Sequence, residues 1–395
     1  MKPTTQRLAT VIATAAALLV ALVLEPEPAG ADRSSVPLKP IVKTTQIAPG
    51  LTLTRIVEKR RPRRTFILSA DLSEALTFDV TLANADLPGM AKTTTIAKRA
   101  GALAAVNGDF SEIHDGRPVH PFAFDGQLVQ SGPIGPAFAV SRDEKHVYVG
   151  RPEVSVTVTD TASGRVFRLD RWNHGAAAPG EIAGFSPVGG TLEVPPDHAC
   201  SVRLVPTGPP APSSGADGVD QDFTVGETAC AEDPMTRDGG VVLSAAPATD
   251  EAIELLALVP GTPMRLHWTL GWPDVYDSVG GGPLLVADGK LAVTPECASS
   301  FCHSNPRTGI GVTADGTILL VVVDGRQPKW SVGPTIFGFA RIMQAQGAVW
   351  AMNLDGGGST SMVVENELVN RPSDGFERSV SNAVVILPGP DPGEA

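Results

Sequence analysis

A β-leaning, loop-rich globular fold is the class this 395-residue sequence predicts, on three observations. The 41 Gly and 35 Pro, with only 19% charged residues, mark a chain that turns often. The 42% hydrophobic content supplies a sizeable core and excludes a disordered protein. A unit of apolar run, Asp-Gly and apolar run recurs over 122–129 (Asp125-Gly126), 284–293 (Asp288-Gly289) and 311–323 (Asp315-Gly316). It returns more weakly over 362–369, around Glu365-Asn366. Asp-Gly reaches the positive φ that tight hairpins need, so each unit predicts a hairpin. Their irregular spacing argues against a solenoid.

The elements follow in chain order. Residues 1–31 read as a secretory signal: Lys2 and Arg7 precede an apolar stretch over 8–24, and Ala29-Gly30-Ala31 offers a small-residue cleavage site. Residues 32–50 read as an extended linker, and 32–75 together as linker plus N-terminal hairpin. In that hairpin, alternating stretches 51–57 and 64–68 flank the basic turn 59–64. The alternation over 76–82 predicts a half-buried strand, and 94–104 a helix with Thr93–Thr95 available as caps. Residues 195–240, rich in Pro, Ser, Gly and Asp, read as a loop-rich surface insertion or long loop. Order resumes with a strand over 253–258 and a segment over 264–270, and 339–346 reads as a short helix. The tail 388–395 reads as loose.

The net charge of −12 argues against nucleic acid as a partner, and any anionic ligand has to be met by locally placed arginines. With no second long apolar stretch, stable membrane insertion after signal removal is not expected. Four cysteines fit an oxidising, extracytoplasmic compartment. Of three possible pairings, Cys200–Cys230 and Cys297–Cys302 are preferred as local loop staples; a zinc site lacks any Cys-x-x-Cys pair.

Four apolar strands end in polar or glycine clusters: Asn107/Asp109, Gly280-Gly-Gly-Pro283, Asp324-Gly-Arg326, and Asn353-Leu-Asp355-Gly-Gly-Gly-Ser-Thr-Ser361. Strand ends gathered on one side of a sheet build binding sites. In the last cluster, three glycines let backbone N–H groups converge on an anion, with Ser359 as a further donor. The same residues also suit a plain turn capped by Asp355 or Ser359.

In this order the motifs resemble the phosphodiester glycosidase domain: Asn107-Gly-Asp-Phe, Gly280-Gly-Gly-Pro with Leu284-Leu-Val-Ala-Asp-Gly, Arg307-Thr-Gly-Ile-Gly, and Val323-Asp-Gly-Arg326. The pattern continues through Asn353–Ser361 and Asn370-Arg-Pro-Ser-Asp-Gly-Phe-Glu-Arg378, with a weaker match at Arg171-Trp-Asn173. The resemblance spans 76–387 and implies one α+β domain with a mixed, largely antiparallel sheet and long loops. It implies a secreted or cell-envelope hydrolase that cleaves the glycosyl C1–O bond of a sugar phosphodiester or phosphoglycan.

On that reading Asp355, Asp324 and Asp109 are the catalytic candidates. Asp355 or Asp324 faces the anomeric carbon, as an oxocarbenium-like transition state requires. Arg326 and Arg378 hold phosphate oxygens bidentately, although Asp374 offers Arg378 an alternative, structural partner. Gly356, Gly357, Gly358 and Ser359 add donors, and Asn353 belongs to the same substrate-binding set. Asn107 and Asp109 bind sugar hydroxyls or help hold a divalent cation; no cofactor is required. His120 departs from the family's usual glycine and is a candidate ligand or acid–base group. Two other readings compete. One is a non-catalytic glycan-binding protein on the same fold. The other is a serine hydrolase using Ser359, for which the last glycine of G-x-S-x-G and a following His are missing.

Overall fold

A computed structural model of the chain describes residues 39–389, except 113, 133, 134, 213–217 and 298. The signal reading of 1–31 and most of the loose-tail reading of 388–395 lie outside these residues. Strands make up 44% and helices 10% of the described residues, so the largely antiparallel sheet is as expected, divided into several sheets of a β-rich fold in which the α+β character is not clear.

The sheet that carries the glycine turn is antiparallel. Its strands run in the order Ile41–Ala48, Leu51–Glu58, Arg63–Ala70, Ile318–Val323, Arg307–Thr313, Ala348–Asn353, Leu284–Ala287 and Lys290–Leu291. Residues 41–48, expected as linker, are thus an edge strand paired to Leu51–Glu58 with Thr44 opposite Thr54. A second sheet pairs Glu367–Leu368, Met362–Val364, Ala104–Asn107, Asn382–Pro388 and Leu76–Leu82. A third pairs Val147–Gly150, Ala137–Ser141, Val275–Gly280, Phe122–Phe124 and Gln127–Gln130.

The fourth and largest sheet replaces the loop expected over 195–240 with paired strands. Cys200–Pro206 and Val219–Cys230 lie in its middle, between Pro263–Thr269 and Val241–Ala245. Their polar residues alternate outward while Val202, Leu204, Phe223 and Val225 are buried, so the composition of a half-solvated strand passes for loop. Cys200 and Cys230 face each other across this pair and are bonded, and Cys297–Cys302 closes the second staple. All four Asp-Gly-type hairpins form as expected.

Each helix has its own cause. Asp250–Leu256 is helical where a strand is expected over 253–258. The Thr249 hydroxyl accepts from the Ala252 N–H, and Asp250 and Glu251 sit at the positive end of the helix dipole. Ile336–Ala345 starts on Thr335, which accepts from Gly338 N, and buries Phe339 and Met343 against the strand Ile318–Val323 and Leu285. The Phe339 ring lies so close to Gly309 that a Cβ there would stand 2.8 Å from it, which is why that buried strand carries glycine. Thr93–Ala100 is not capped by its own threonines: Glu377 reaches in from the far end of the chain and accepts from Thr94 N (2.8 Å) and Thr94 Oγ1 (2.6 Å). Among the described residues no helix is long and apolar enough to cross a membrane.

The main core lies between the first two sheets and the third: Leu53, Phe66 and Leu68 meet Phe78, Val80, Val106 and Phe138. It holds the ends of Ala104–Asn107, Arg307–Thr313, Ile318–Val323 and Ala348–Asn353 in one place, and the candidate site grows from those ends.

Candidate active site

The strand Ala348–Asn353 leads into a buried Leu354 and then into the glycine turn, where Gly357–Ser359 makes one 3₁₀ turn. The main chain of Asp355 is pinned on both sides: its N–H donates to Gly108 O (3.1 Å) and its carbonyl accepts from Asn107 Nδ2 (2.7 Å). Asn107 spends its Oδ1 on Thr308 Oγ1 (2.8 Å) and Ser361 N (3.1 Å). Asn107 therefore braces the turn rather than presenting itself to a ligand. Asn353 does similar work, with Nδ2 donating to Gly282 O (3.0 Å) and to Leu354 O, while its buried Oδ1 has no partner.

The Asp355 carboxylate accepts from Gly356 N (2.8 Å) and from the Ser359 hydroxyl. Burial pushes its pKa from 3.8 up to about 6, and the nearby Asp109 adds to the rise; the Ser359 and Gly356 bonds and the Arg378 charge oppose it. Such a group is mainly ionised at neutral pH and protonated a little below pH 6.

Two of the three glycines spend their N–H groups within the protein. Gly356 N–H is taken by Asp355 and Gly357 N–H by Pro306 O (3.0 Å), so neither converges on an anion. What the missing Cβ atoms provide is room. A Cβ on Gly357 would stand 3.0 Å from the Arg326 guanidinium, and one on Gly358 would stand 2.2 Å from both Arg378 Nη2 and Asp374 Oδ2. Gly357 also has φ +63°, which favours glycine in its own right. Two arginines thus lie against the turn. Arg326 is exposed, with Nε donating to Asn305 Oδ1 (3.0 Å). Arg378 pairs with Asp374 at 2.6 Å, the structural partner that the sequence offers it.

Asp324 does not present a carboxylate to this turn. It is 1% exposed, and it accepts from Trp330 Nε1 (2.8 Å), Asn370 Nδ2 (3.1 Å) and Arg371 N (3.0 Å). Burial raises its pKa, while those donors and the Arg64 charge act against the rise. Its oxygens lock the loop that carries Arg326 to the loop that carries Arg371.

Asp109, fully buried, is committed to His120. Oδ1 lies 2.7 Å from His120 Nδ1 and also accepts from Phe110 N (2.7 Å), while Oδ2 accepts from His120 N (2.8 Å). With Nδ1 against the Asp109 carboxyl group, the other ring nitrogen, Nε2, lies against Gly135. The Asp109 backbone is held in turn by Asn382 Oδ1 (2.7 Å). Ser359 bonds Asp355, and the partner the structure gives His120 is Asp109, so no Ser–His pair forms at the turn.

The predicted residues thus divide. The structure brings together Asp355, Ser359, Arg326 and Arg378 at one turn, with the Asp109–His120 pair close enough for Asp109 to act on Asp355. It turns Asn107, Asn353 and Asp324 into braces. Sequence reasoning leaves out Asn305, which steers Arg326, and Trp330, which bonds Asp324, and it quotes Asn370 in a motif without giving it the role of a partner to Asp324. The signal of Asn305 and Trp330 is faint, since each is a lone residue in a loop. The site acids form no three-ligand metal group among the described residues. The carboxylates with that spacing, Asp79, Asp125 and Asp277 within 4.8 Å, stand on other elements.

Comparisons with known proteins bear on the same stretch. Residues 217–387 match the family model for phosphodiester glycosidase; this range includes Arg307, Arg326, Asp355 and Arg378 and leaves Asn107, Asp109 and His120 upstream. An uncharacterized SPbeta prophage-derived protein of Bacillus subtilis is 39% identical over 82 residues, 21% of this chain and 13% of the relative. A hypothetical protein of Synechocystis shares the fold with a TM-score of 0.66 at 22% identity, over 88% of this chain and 64% of that one. A candidate exported protein of Burkholderia pseudomallei superposes with a TM-score of 0.59 at 25% identity, over 83% and 74%. The chain spans less than two thirds of the first two of these relatives. Over residues 217–387 this chain therefore matches the phosphodiester glycosidase domain, a stretch of less than half its length.

Proposed function

We propose that this protein is an extracytoplasmic hydrolase that cleaves the bond between the anomeric carbon and the phosphodiester oxygen of a sugar-1-phosphodiester, in a cell-envelope glycan, teichoic-acid-like polymer or glycolipid. The observation that carries the reading is one carboxylate, Asp355, with two guanidinium groups, Arg326 and Arg378, against a single glycine turn. C1–O cleavage builds positive charge on the sugar ring and negative charge on the departing phosphate. Asp355, ionised at neutral pH, faces the first charge, and the arginines meet the second where it develops. Phosphate leaves readily, so a strong general acid is not needed at the leaving oxygen. Asp109 fixes the ring of His120, whose Nε2 takes up the proton of the attacking water. Two disulfides and the likeness to a candidate exported protein support the extracytoplasmic setting.

The test is a panel of sugar-1-phosphodiesters incubated with the wild type, Asp355→Asn, Arg326→Met and Arg378→Met. Release of free sugar and phosphomonoester by the wild type, reduced at least a hundredfold in Asp355→Asn, is the expected result. Undiminished turnover in all three folded variants contradicts the assignment. Binding of the glycan without release of sugar would make the protein a glycan-binding module instead.

A further inference from the structure

One charged side chain beside the glycine turn is left without an acidic partner by this chemistry. Arg307, the first residue of the strand Arg307–Thr313, is 2% exposed and heads the largest fully buried side chains. Its Nη2 donates to the carbonyls of Phe301 and His303 (2.9 Å), its Nε has no partner, and its guanidinium lies 4.9 Å from the centre of the Phe301 ring. Among the described residues no carboxylate stands within ion-pair distance of Arg307 or of Arg326. Burial and the Arg326 charge both act on Arg307 and lower its pKa to about 10.

This arrangement differs from that of three other part-buried arginines. Arg117 is gripped by both Asp115 (2.8 Å) and Glu193, and Arg171 by Glu181 (2.7 Å). Arg237, also held by carbonyls, still feels the charges of Asp86 and Glu193. Arg307 feels only another cation. A guanidinium taken out of water without an opposite charge is strongly unfavourable, and two carbonyl dipoles offset only part of that cost.

Its position supplies the reason to keep it. Pro306 O, immediately before Arg307, accepts Gly357 N–H, and a Cβ on Gly356 would stand 3.8 Å from Arg307 Cα. The next residue, Thr308, bonds the Asn107 that pins Asp355. The segment that covers Arg307 also serves Arg326: it contains Phe301, inside the Cys297–Cys302 staple, and Asn305, which holds Arg326 Nε. The Phe301 ring that lies over the guanidinium is 36% exposed.

We infer that Arg307 is the inner cation of a phosphate-binding site, sharing one phosphoryl group with Arg326 beneath the ring of Phe301. The identification of that group with the substrate's phosphodiester rests on the function proposed above; the anion site itself does not. The bound dianion or monoanion supplies the charge that Arg307 lacks, and the planar guanidinium fork offers it paired donors.

The test measures binding of inorganic phosphate and of dimethyl phosphate, by calorimetry and by thermal shift, to the wild type, Arg307→Met and Arg307→Lys. Both ligands raise the melting temperature of the wild type, as any ligand of the native state does. A preference for dimethyl phosphate marks a diester site, and a preference for inorganic phosphate marks a site for the free ion or a monoester; either supports the anion site. The expected result is at least a tenfold loss of affinity in Arg307→Met and an intermediate loss in Arg307→Lys. Without ligand, Arg307→Met should melt no lower than the wild type, because a buried uncompensated charge is gone. A mere brace for the Phe301–His303 loop predicts the opposite, a lower melting temperature with unchanged phosphate affinity, and that outcome overturns the inference. If Arg307→Met does not fold, Arg307→Lys decides alone: unchanged affinity refutes, weakened affinity supports. The two readings fail separately. Lost phosphate affinity in Arg307→Lys with no turnover of any diester by the wild type leaves the anion site standing and removes the glycosidase. Turnover by the wild type with unchanged affinity in Arg307→Lys does the reverse.

Discussion

Replacing Asp355 by Asn tests the electrostatics of the turn. The carboxylate goes from 3.8 in the unfolded chain to about 6 in the folded one, chiefly because burial penalises its charge. That difference is worth about 3 kcal/mol between the protonated and ionised forms. Because the folded pKa is the higher one, the native state holds a proton between pH 4 and 6 that the unfolded chain has released. The stabilisation is therefore complete below pH 4 and is lost as pH rises through 6. In Asp355→Asn the side chain stays neutral and Oδ1 can still accept from Gly356 N–H, so the pH-dependent loss disappears. The variant is expected to match the wild type near pH 4 and to exceed it by up to about 3 kcal/mol at pH 7. Urea unfolding at half-unit intervals from pH 4 to 7.5, read by tryptophan fluorescence, measures this directly. Activity should move the other way: it needs the ionised carboxylate, so kcat/KM of the wild type rises through pH 6 and is roughly tenfold below its plateau at pH 5. A stability difference that stays flat from pH 4 to 7, or one in which the variant loses ground as pH rises, refutes the electrostatic reasoning.

Other consequences are as specific. Gly358→Ala places a Cβ 2.2 Å from Arg378 and Asp374, so the pair must move; about a tenfold rise in KM for a phosphodiester with an unaltered circular dichroism spectrum is expected. Asn370→Ala removes a donor from the buried Asp324 and one from Thr360 O, and should cost about 1–3 kcal/mol of unfolding free energy, measured in urea. Serine substitution of both Cys200 and Cys230 opens a link spanning 30 residues and should cost roughly 3.5 kcal/mol; the same change at Cys297 and Cys302, 5 residues apart, about 2 kcal/mol. The second change should nevertheless weaken phosphate binding more than the first, because its loop covers Arg307 and leads to Asn305.

The parts of the fold legible in the sequence are those whose cause is local. The Asp-Gly hairpins form because positive φ at Asp125 and Asp288 is a property of the turn itself. The alternation over 76–82 becomes a strand for an equally local reason. Residues 253–258 look like a strand as a short apolar run, yet Thr249 and the two acids after it nucleate a helix; the cap lies outside the window that suggests the strand. The strands Cys200–Pro206 and Val219–Cys230 are hidden because their exposed faces dilute the apolar signal, and their pairing partners are distant in sequence. At the site, the sequence points to the strand ends but cannot say where each carboxylate spends its lone pairs. Asp324 and Asp355 both follow an apolar strand, and only the long-range contacts of Trp330 and Asn370 make the first a brace. Arg307 appears in a motif without a role, because its burial and its missing acid are properties of packing. Glu377 caps a helix some 280 residues away, a partnership with no local trace.

The central claim is cleavage at C1–O, and isotope labelling tests it most directly. Hydrolysis of a sugar-1-phosphodiester in H₂¹⁸O, followed by mass spectrometry of both products, shows which atom accepts the water. The account predicts ¹⁸O on the anomeric carbon of the released sugar and unlabelled phosphomonoester. Label in the phosphomonoester, with none in the sugar, would mean P–O cleavage and would contradict it.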